Sequence, residues 1–494
     1  MTFNSLEFVI FFPVVTVLYF LLPHRLRWLL LLVASVVFYI AFIPAYIFIL
    51  AALIVIDYWA GILIERSSDK KQRRLFLILS VISTCLVLFI FKYFNFFNFN
   101  LGTLASFLHW NYPIGALSIL LPLGLSFHTF QSLAYVIEVY RGRQKAEYNI
   151  GIYSLYVMFY PQLVAGPIER PQHLIPQLYQ EHRFEYKRVV DGLKRMLWGM
   201  FKKVVIADNL AFLVDQIYSN PHGYAGLELI WVTMIFAIQI YADFSGYVDI
   251  AIGSAKVMGF DLVENFRNPY LANSILDFWR RWHISLSSWF RDYVYIPLGG
   301  NRVLELHWYS NILIVFLLSG LWHGASWTFI LWGALHGVYI VFSKTTQGIR
   351  EKIAQGIGLN YFPKLRSFMQ IVTTFSLVSF AWIFFRANSI SDAWYIVSHL
   401  FAGGWESIPR SLAGNYLVNA LVLSLYDTRF VILLSAIFSA LYMWRHIQRR
   451  GGAYNFFFHS PSIFLRWSTY LTIIWAIFSV GVLSGYRPFI YFAF

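Results

Sequence analysis

The feature that most constrains this chain is a series of long apolar runs that recurs along nearly its whole length. The runs occupy positions 5–22, 29–45, 47–64, 74–96, 115–137, 193–215, 227–241, 311–343, 369–385, 430–444 and 467–487. Most of them are close to the roughly 20 residues that an α-helix needs to cross the hydrocarbon core of a bilayer. The pattern therefore predicts an all-α polytopic membrane protein with about eleven transmembrane helices.

The composition excludes an ordinary soluble domain. Of the 494 residues, 59% are hydrophobic and only 13% are charged, whereas soluble domains are about half apolar and a quarter charged. The net charge of +14 lies mostly in loops beside the apolar runs and in the central part of the chain. Basic residues beside membrane helices are expected from topology and anionic lipid, so the charge indicates membrane lipid as a partner and not nucleic acid.

Two basic loops, at 24–27 and 70–74, set the expected orientation. They are separated by two apolar runs and so lie on the same side, which the positive-inside rule makes cytoplasmic. The amino terminus is then predicted outside. The run at 5–22 has neither a basic segment before it nor a small-residue cleavage site after it, so we expect a retained helix and not a signal peptide.

The chain has no linker that would release a soluble domain. We therefore expect one membrane domain over residues 1–494. Within it, residues 1–110 are interpreted as scaffold helices, residues 115–345 as the catalytic core, and residues 369–494 as carboxy-terminal helices.

Three segments depart from the simple apolar pattern. Residues 121–131 and 160–168 mix proline and glycine with polar groups, which predicts re-entrant or cavity-lining backbone. Residues 277–302 are too polar to span a bilayer and too aromatic for a solvated loop, so we expect an interfacial helix lining an entrance from the cytoplasm. At helical spacing, Asp277 can reach Arg281. Residues 169–188 are polar and basic enough to lie on the cytoplasmic surface.

His323 is the leading candidate for a functional residue. It lies between Gly320 and Gly324 in apolar, aromatic sequence, where even a neutral imidazole needs polar partners. A neutral imidazole is suited to accept a proton from an attacking hydroxyl, so acyl transfer is the natural reaction class. The alternative is a structural histidine. His283 is the second candidate, and His336 is interpreted as a packing or hydrogen-bonding residue.

Asp243 and Asp249 suggest a different function. Two carboxylates around Ser245–Gly246 in one apolar segment would be typical of an ion-coupled transporter that binds its ion at an unwound helix. The competing interpretation is that both acids pair with nearby arginines or cap helix halves.

The ordered motifs of the middle of the chain resemble a known family. They are residues 161–168, 243–247, 277–302, 321–325 and 384–387. These motifs resemble the membrane-bound O-acyltransferase family, and specifically its bacterial branch that serves O-acetylation of alginate, peptidoglycan and cellulose. The resemblance implies a ring of helices around a funnel, with an acyl donor entering from the cytoplasm and an acceptor from the other face.

By this resemblance, His323 matches the catalytic histidine and His283 a second, more variable polar position. The implied donor is acetyl-CoA, with no tightly bound cofactor and no metal. The implied partners are a periplasmic acetyltransferase of the SGNH type and the polysaccharide export machinery, at the bacterial inner membrane. As a hypothesis, Arg280, Arg281 and Arg291 bind the phosphates of the donor.

The resulting prediction is a membrane enzyme that passes acetyl groups across the membrane for O-acetylation of an envelope polysaccharide or exopolysaccharide. An alternative from the same family is D-alanyl transfer to teichoic acid from a carrier-protein thioester. A secondary transporter built on Asp243 and Asp249 and a pure scaffold for a periplasmic enzyme are the alternatives from other classes.

Overall fold

The computed structural model describes residues 1–41, 44–119, 121–122, 124–402, 453–483 and 489–490. In this part of the chain the regular backbone is helical and contains no β-strand, so the predicted all-α class is confirmed. The helices are α1 (Leu6–Leu21), α2 (His24–Ile40), α3 (Tyr46–Arg66), α4 (Lys70–Leu88), α5 (Phe94–Phe107), α6 (Leu125–Tyr140), α7 (Ile150–Met158), α8 (Pro171–Tyr179), α9 (Tyr186–Met200), α10 (Asp208–Ser219), α11 (Leu227–Met258), α12 (Ile275–Trp279), α13 (Ile284–Phe290), α14 (Glu305–His323), α15 (Trp327–Thr345), α16 (Gln347–Gly356), α17 (Pro363–Arg386), α18 (Ile390–His399), α19 (Ala453–Phe458) and α20 (Ile463–Ser479). Three π-helical segments follow α4, α9 and α13, at Phe89–Tyr93, Phe201–Ala207 and Arg291–Tyr295.

Several helices have the length and composition of membrane spans. Among the described residues, those long and apolar enough to cross a membrane are Tyr46–Arg66, Lys70–Phe107, Leu227–Met258 and Pro363–Arg386. The second of these runs through α4, its π-helical segment and α5, and α1 and α20 are shorter apolar helices. The run at 430–444 lies outside the described residues, and the number of about eleven spans stays a prediction.

The chain forms two compact units. The first comprises Met1–Gly199, Phe244–Val378 and Tyr486–Phe494, and the second comprises Met200–Asp243 and Ser379–Gly485. Both candidate histidines belong to the first unit. Compact units need not be independent domains, so the single membrane domain over residues 1–494 also stays a prediction.

The apolar run at 311–343 is a helical hairpin and not one helix. Its first helix, α14, ends at His323, and α15 returns against it. The two backbones are in direct contact, because a Cβ added to Gly333 would lie 2.2 Å from the carbonyl oxygen of Phe316 and 3.2 Å from the Cα of Gly320. Only glycine permits this approach, and the hairpin fixes His323 at a helix end.

The unwound helix that the transporter hypothesis requires at Ser245–Gly246 is contradicted, since α11 continues through these residues as one helix. The glycines serve a close helix crossing instead. A Cβ on Gly199 of α9 would lie 2.6 Å from the oxygen of Gly246, and a Cβ on Gly192 would lie 2.7 Å from the oxygen of Gly253. Small residues at matched positions of two helices let their backbones touch, as is common in membrane proteins.

The expected single helix in 277–302 is also wrong, because the segment forms the short helices α12 and α13 with a turn between them. The predicted pair is confirmed within it, since Arg281 Nε donates to Asp277 Oδ1 at 2.9 Å. The turn places His283 at φ 43°, in the left-handed region. Such backbone is unfavourable for a residue other than glycine, and its surroundings must hold it there.

The two segments predicted as broken backbone differ from each other. In 121–131, α6 begins at Leu125 and is buried along nearly its whole length. Residues 160–168 are irregular and buried. Glu169, expected to begin the surface segment, is fully buried and accepts a hydrogen bond from the backbone N–H of Val263 at 2.6 Å. The buried segment therefore extends beyond the predicted boundary.

Both acids of the transporter hypothesis are paired. In the second unit, Lys203 contacts Asp243 at 2.6 Å and Asp208 at 2.9 Å, and all three side chains are buried. In the first unit, Asp249 pairs with Arg195 at 2.9 Å. The interpretation that these carboxylates are ion-paired is confirmed, with a lysine in place of an arginine for Asp243.

Candidate active site

The structure brings His323 and His283 together around one tryptophan. Both side chains are buried, with 3% and 0% of their surface exposed. The Trp322 ring centroid lies 4.8 Å from that of His323 and 6.1 Å from that of His283. One indole therefore contacts two imidazoles that are far apart in sequence, and this pair is the core of the candidate site.

Aromatic rings surround both imidazoles. Phe127 stacks on His283 with centroids 6.2 Å apart, and Phe244 meets the same ring at 4.8 Å. Trp332, on α15, meets His323 edge to face at 4.9 Å. Such walls exclude water and lock the rotamers of the imidazoles, so a bound thioester or hydroxyl would react in an apolar, preorganised environment.

The end of α14 at His323 is held by two consecutive residues of the π-helical segment after α4. Tyr93 Oη donates to the carbonyl of Leu321 at 3.1 Å. Lys92 Nζ donates to the carbonyl of Trp322 at 2.7 Å and to that of His323 at 3.2 Å. The last carbonyls of a helix have no partner within the helix, so these two side chains satisfy acceptors that the buried helix end leaves open.

Sequence reasoning missed Lys92. It lies within residues 1–110, which were interpreted as scaffold helices, whereas Lys92 contacts the candidate catalytic segment. The available signal was an amine inside an apolar run, which is the same signal that identified His323.

His336 lies next to this site but has a partner of its own. Its Nδ1 accepts a hydrogen bond from Trp279 Nε1 at 3.2 Å, and Phe278 stacks on the ring at 6.2 Å. Trp332 lies between the two histidines of the hairpin, 4.9 Å from His323 and 5.2 Å from His336. These contacts agree with the expected packing and hydrogen-bonding role of His336.

The three arginines proposed as phosphate ligands lie close to His283 in sequence, but two of them bind carboxylates. Arg281 is held by Asp277, and Arg291 Nε donates to Asp292 at 2.8 Å. Arg280 is exposed. Their role in donor binding stays a prediction. Among the described residues, no group of three or more His, Cys, Asp or Glu side chains could hold a metal ion.

Two further arginines converge on the same acid. Arg170 Nη2 donates to the Asp292 carboxylate at 3.2 Å, and Arg141 Nη2 donates to its backbone carbonyl at 3.2 Å. Their guanidinium groups lie 4.5 Å and 5.1 Å from the ring centroid of Tyr293. Arginine clusters of this kind suit phosphate groups. Because Arg141 and Arg170 lie in separate loops, the sequence alone gave no sign that they meet.

A run of aromatic rings connects this arginine cluster with the histidines. Tyr293 contacts Trp289 at 5.0 Å, Trp289 stacks on Phe130 at 3.8 Å, and Phe130 stacks on Trp322 at 5.3 Å. Trp322 in turn contacts His323. Packed aromatic rings therefore link the arginine cluster at Asp292 with the two imidazoles.

The fold and the candidate site define a multi-pass helical membrane protein in which two buried histidines pack around one tryptophan. Residues 144–355, which include both histidines, match the sequence model of the membrane-bound O-acyltransferase family. The chain is 39% identical over 410 residues to the probable alginate O-acetylase AlgI of Pseudomonas aeruginosa, covering 82% of this chain and 76% of that protein. The chain belongs to the membrane-bound O-acyltransferase family and is an O-acyltransferase.

Two other relatives bear on the acyl group. The peptidoglycan O-acetyltransferase of Helicobacter pylori is 36% identical over 427 residues, covering 79% of this chain and 78% of that protein. The teichoic acid D-alanyltransferase of Streptococcus thermophilus is 28% identical over 311 residues, covering 57% of this chain and 72% of that protein. The similarity is thus higher and longer towards the acetyl-transferring relatives.

Proposed function

We propose that this enzyme transfers acetyl groups from a cytoplasmic donor across the membrane for O-acetylation of an envelope polysaccharide or exopolysaccharide. The observation that carries the proposal is the similarity to relatives named for alginate and peptidoglycan O-acetylation over most of both chains. The donor is acetyl-CoA. The proposed location is the bacterial inner membrane with the amino terminus outside, in keeping with the basic residues at 24–27 and 70–74, which form the first turns of α2 and α4.

In the proposed reaction, His323 is the general base. Its neutral ring accepts the proton of an attacking hydroxyl while the hydroxyl oxygen forms a bond to the acetyl carbonyl carbon. The carbon–sulfur bond of the thioester then breaks, and the proton passes from His323 to the leaving thiolate. General-base catalysis of this kind contributes about 10²- to 10⁴-fold in rate. His283, which shares Trp322 with His323, assists by orienting the reacting groups.

The arginines supply the donor site. Arg280, Arg281 and Arg291 are proposed to bind donor phosphates. Arg141 and Arg170 support this for Arg291 in particular, since all three contact Asp292. On the outer side, the proposed partners are a periplasmic SGNH-type acetyltransferase and the polysaccharide export machinery, which receive the acetyl group and supply the polymer.

D-alanyl transfer is the rival within the family, and the lower, shorter similarity to the D-alanyltransferase disfavours it. The transporter hypothesis loses its supporting observation, because Asp243 and Asp249 are neutralised by Lys203 and Arg195. The scaffold hypothesis predicts that His323 is dispensable, and the same experiment tests it.

The test is complementation of cells that lack this protein. Base-labile acetate and D-alanine on envelope polymers are measured after expression of wild type, His323→Gln, or His307→Gln. His307 lies on the same helix as His323 but is exposed, so it controls for histidine loss on α14. We expect wild type and His307→Gln to restore acetate, and His323→Gln to restore none at equal membrane abundance.

Each other outcome contradicts the proposal in a distinct way. Full acetylation by His323→Gln would refute the general-base assignment and favour a scaffold. Restoration of D-alanine in place of acetate would support the teichoic acid alternative. No change in either ester would refute both.

A further inference from the structure

We propose that Lys92 is a positioning residue for catalysis, whose ammonium group fixes the end of α14 and thereby the imidazole of His323. The inference rests on the proposed function of His323. It concerns a residue outside the matched family segment, residues 144–355.

The contacts of Lys92 are with the backbone that carries His323. Its Nζ donates to the carbonyls of Trp322 and His323 themselves, at 2.7 Å and 3.2 Å. A cation at a helix carboxyl end also interacts favourably with the partial negative charge of the exposed carbonyls. Because the interior around the helix end is apolar, this interaction is stronger than it would be in water.

The third contact of Lys92 extends to the element beside His283. Its Nζ donates to Ser126 Oγ at 3.3 Å, in the first turn of α6. The next residue, Phe127, stacks on His283. The Lys92 ammonium group therefore contacts both the end of α14, which carries His323, and the start of α6, whose Phe127 packs on His283.

The number of N–H donors on Lys92 favours a positioning role over direct participation in the reaction. A lysine ammonium has three N–H donors, and the three acceptors named above match that number. The group is thus engaged by the protein before any substrate binds. It also lies 5.9 Å from the Trp322 ring centroid, which adds a cation–π contact with the indole between the histidines.

The π-helical geometry around Lys92 allows its side chain to reach the end of α14. Lys92 and Tyr93 both reach the end of α14, although consecutive side chains on a regular α-helix diverge by about 100°. They lie in the π-helical segment Phe89–Tyr93. Such segments inside α-helices are often found at functional sites.

The experiment compares Lys92→Met with Tyr93→Phe in the full-length protein, purified and reconstituted in proteoliposomes. Tyr93→Phe is the matched control, because it removes one capping hydrogen bond to the same helix end but leaves all three hydrogen bonds of Lys92. The assay is thiol release from acetyl-CoA with unacetylated alginate as the polymer and the SGNH-type acetyltransferase present to receive the acetyl group. We expect Lys92→Met to lower kcat by roughly 10- to 100-fold with KM near wild type, as for a general base displaced by about 1 Å.

Two further variants replace Lys92 with a side chain that keeps hydrogen-bond donors, one with and one without a positive charge. Lys92→Arg keeps a cation with several donors, whereas Lys92→Gln is neutral, so we expect Lys92→Arg to recover more of kcat than Lys92→Gln. A residue needed only for folding would change the yield of monodisperse protein and not kcat per folded molecule. If Lys92→Met does not fold, the comparison of Lys92→Arg with Lys92→Gln carries the test.

Three results would overturn the inference. Lys92→Met could be no more impaired than Tyr93→Phe, or Lys92→Gln could be as active as Lys92→Arg. The third result is a rise in KM alone for Lys92→Met, which would mean that Lys92 binds the donor. Failure of the proposed function is separable. It would show as active His323→Gln in the same assay, or as wild type that releases no thiol from acetyl-CoA.

Discussion

Replacing Gly333 with alanine tests whether the contact between α14 and α15 sets the catalytic geometry. The added methyl carbon would lie 2.2 Å from the carbonyl oxygen of Phe316, whereas ordinary contact begins at 3.4 Å. The obstructing atom belongs to the backbone and cannot rotate away. The two helices must therefore separate by on the order of 1 Å, and Trp332 moves with α15 relative to His323.

Two opposing terms set the size of the effect. Overpacking of this kind costs about 1–3 kcal/mol, while alanine is favoured over glycine in a helix by about 1 kcal/mol. The net loss of stability is therefore about 0–2 kcal/mol. A displacement of about 1 Å can cost roughly 100-fold in rate, so Gly333→Ala should lose far more activity than stability.

The assay measures acetyl transfer per folded molecule together with thermal unfolding in detergent. Gly348→Ala on α16 is the matched control, since a Cβ there meets no atom within 4 Å, and its activity should equal that of wild type. Wild-type transfer by Gly333→Ala would refute the argument that the close helix contact positions the site. A loss of activity in proportion to the loss of folded protein would refute it as well.

Two further predictions concern charged pairs. Asp249→Asn leaves Arg195 with Glu264 as its remaining carboxylate. We expect the free energy of unfolding to fall by about 1–3 kcal/mol, while transfer per folded molecule stays at the wild-type level. Abolished transfer would contradict a structural role for Asp249. The Glu169 carboxylate raises the pKa of His173, on α8. The stabilisation by the protonated His173 is complete below the unfolded pKa near 6.5 and is lost as pH rises through the higher folded pKa. The unfolding temperature should therefore fall more steeply with rising pH in wild type than in His173→Gln. Equal pH slopes of the unfolding temperature in the two proteins would refute the coupling.

Local spacing made some of the structure predictable. The pair of Asp277 and Arg281 follows from helical periodicity and survives although the helix around it is short. The pairing of Asp249 follows from the cost of leaving a charge unpaired in a mostly apolar segment. His323 stood out because an ionisable residue in apolar sequence requires a reason. Each of these inferences needs only the residue and its near neighbours.

Helix continuity could not be predicted in the same way. Glycine and serine occur at Ser245–Gly246 and again at Gly324 and Ser326, yet α11 continues through the first pair and α14 ends before the second. The difference lies in the partner: Gly246 faces Gly199 of α9 across a helix crossing. Tertiary packing of this kind overrides local signals, and one sequence does not state which distant helix will supply it.

The contact of Lys92 with the end of α14 spans 230 positions of the sequence, so local patterns could not predict it. The contact nevertheless explains why the candidate site lies at a helix end. A helix that ends in an apolar interior leaves carbonyl groups without partners, and leaving them so is costly. Tyr93 and Lys92 satisfy them, and the same side chains place polar hydrogen and positive charge beside His323. The groups that make a buried helix end tolerable thus also hold the backbone that carries His323, so satisfying the backbone and positioning the imidazole are one structural solution.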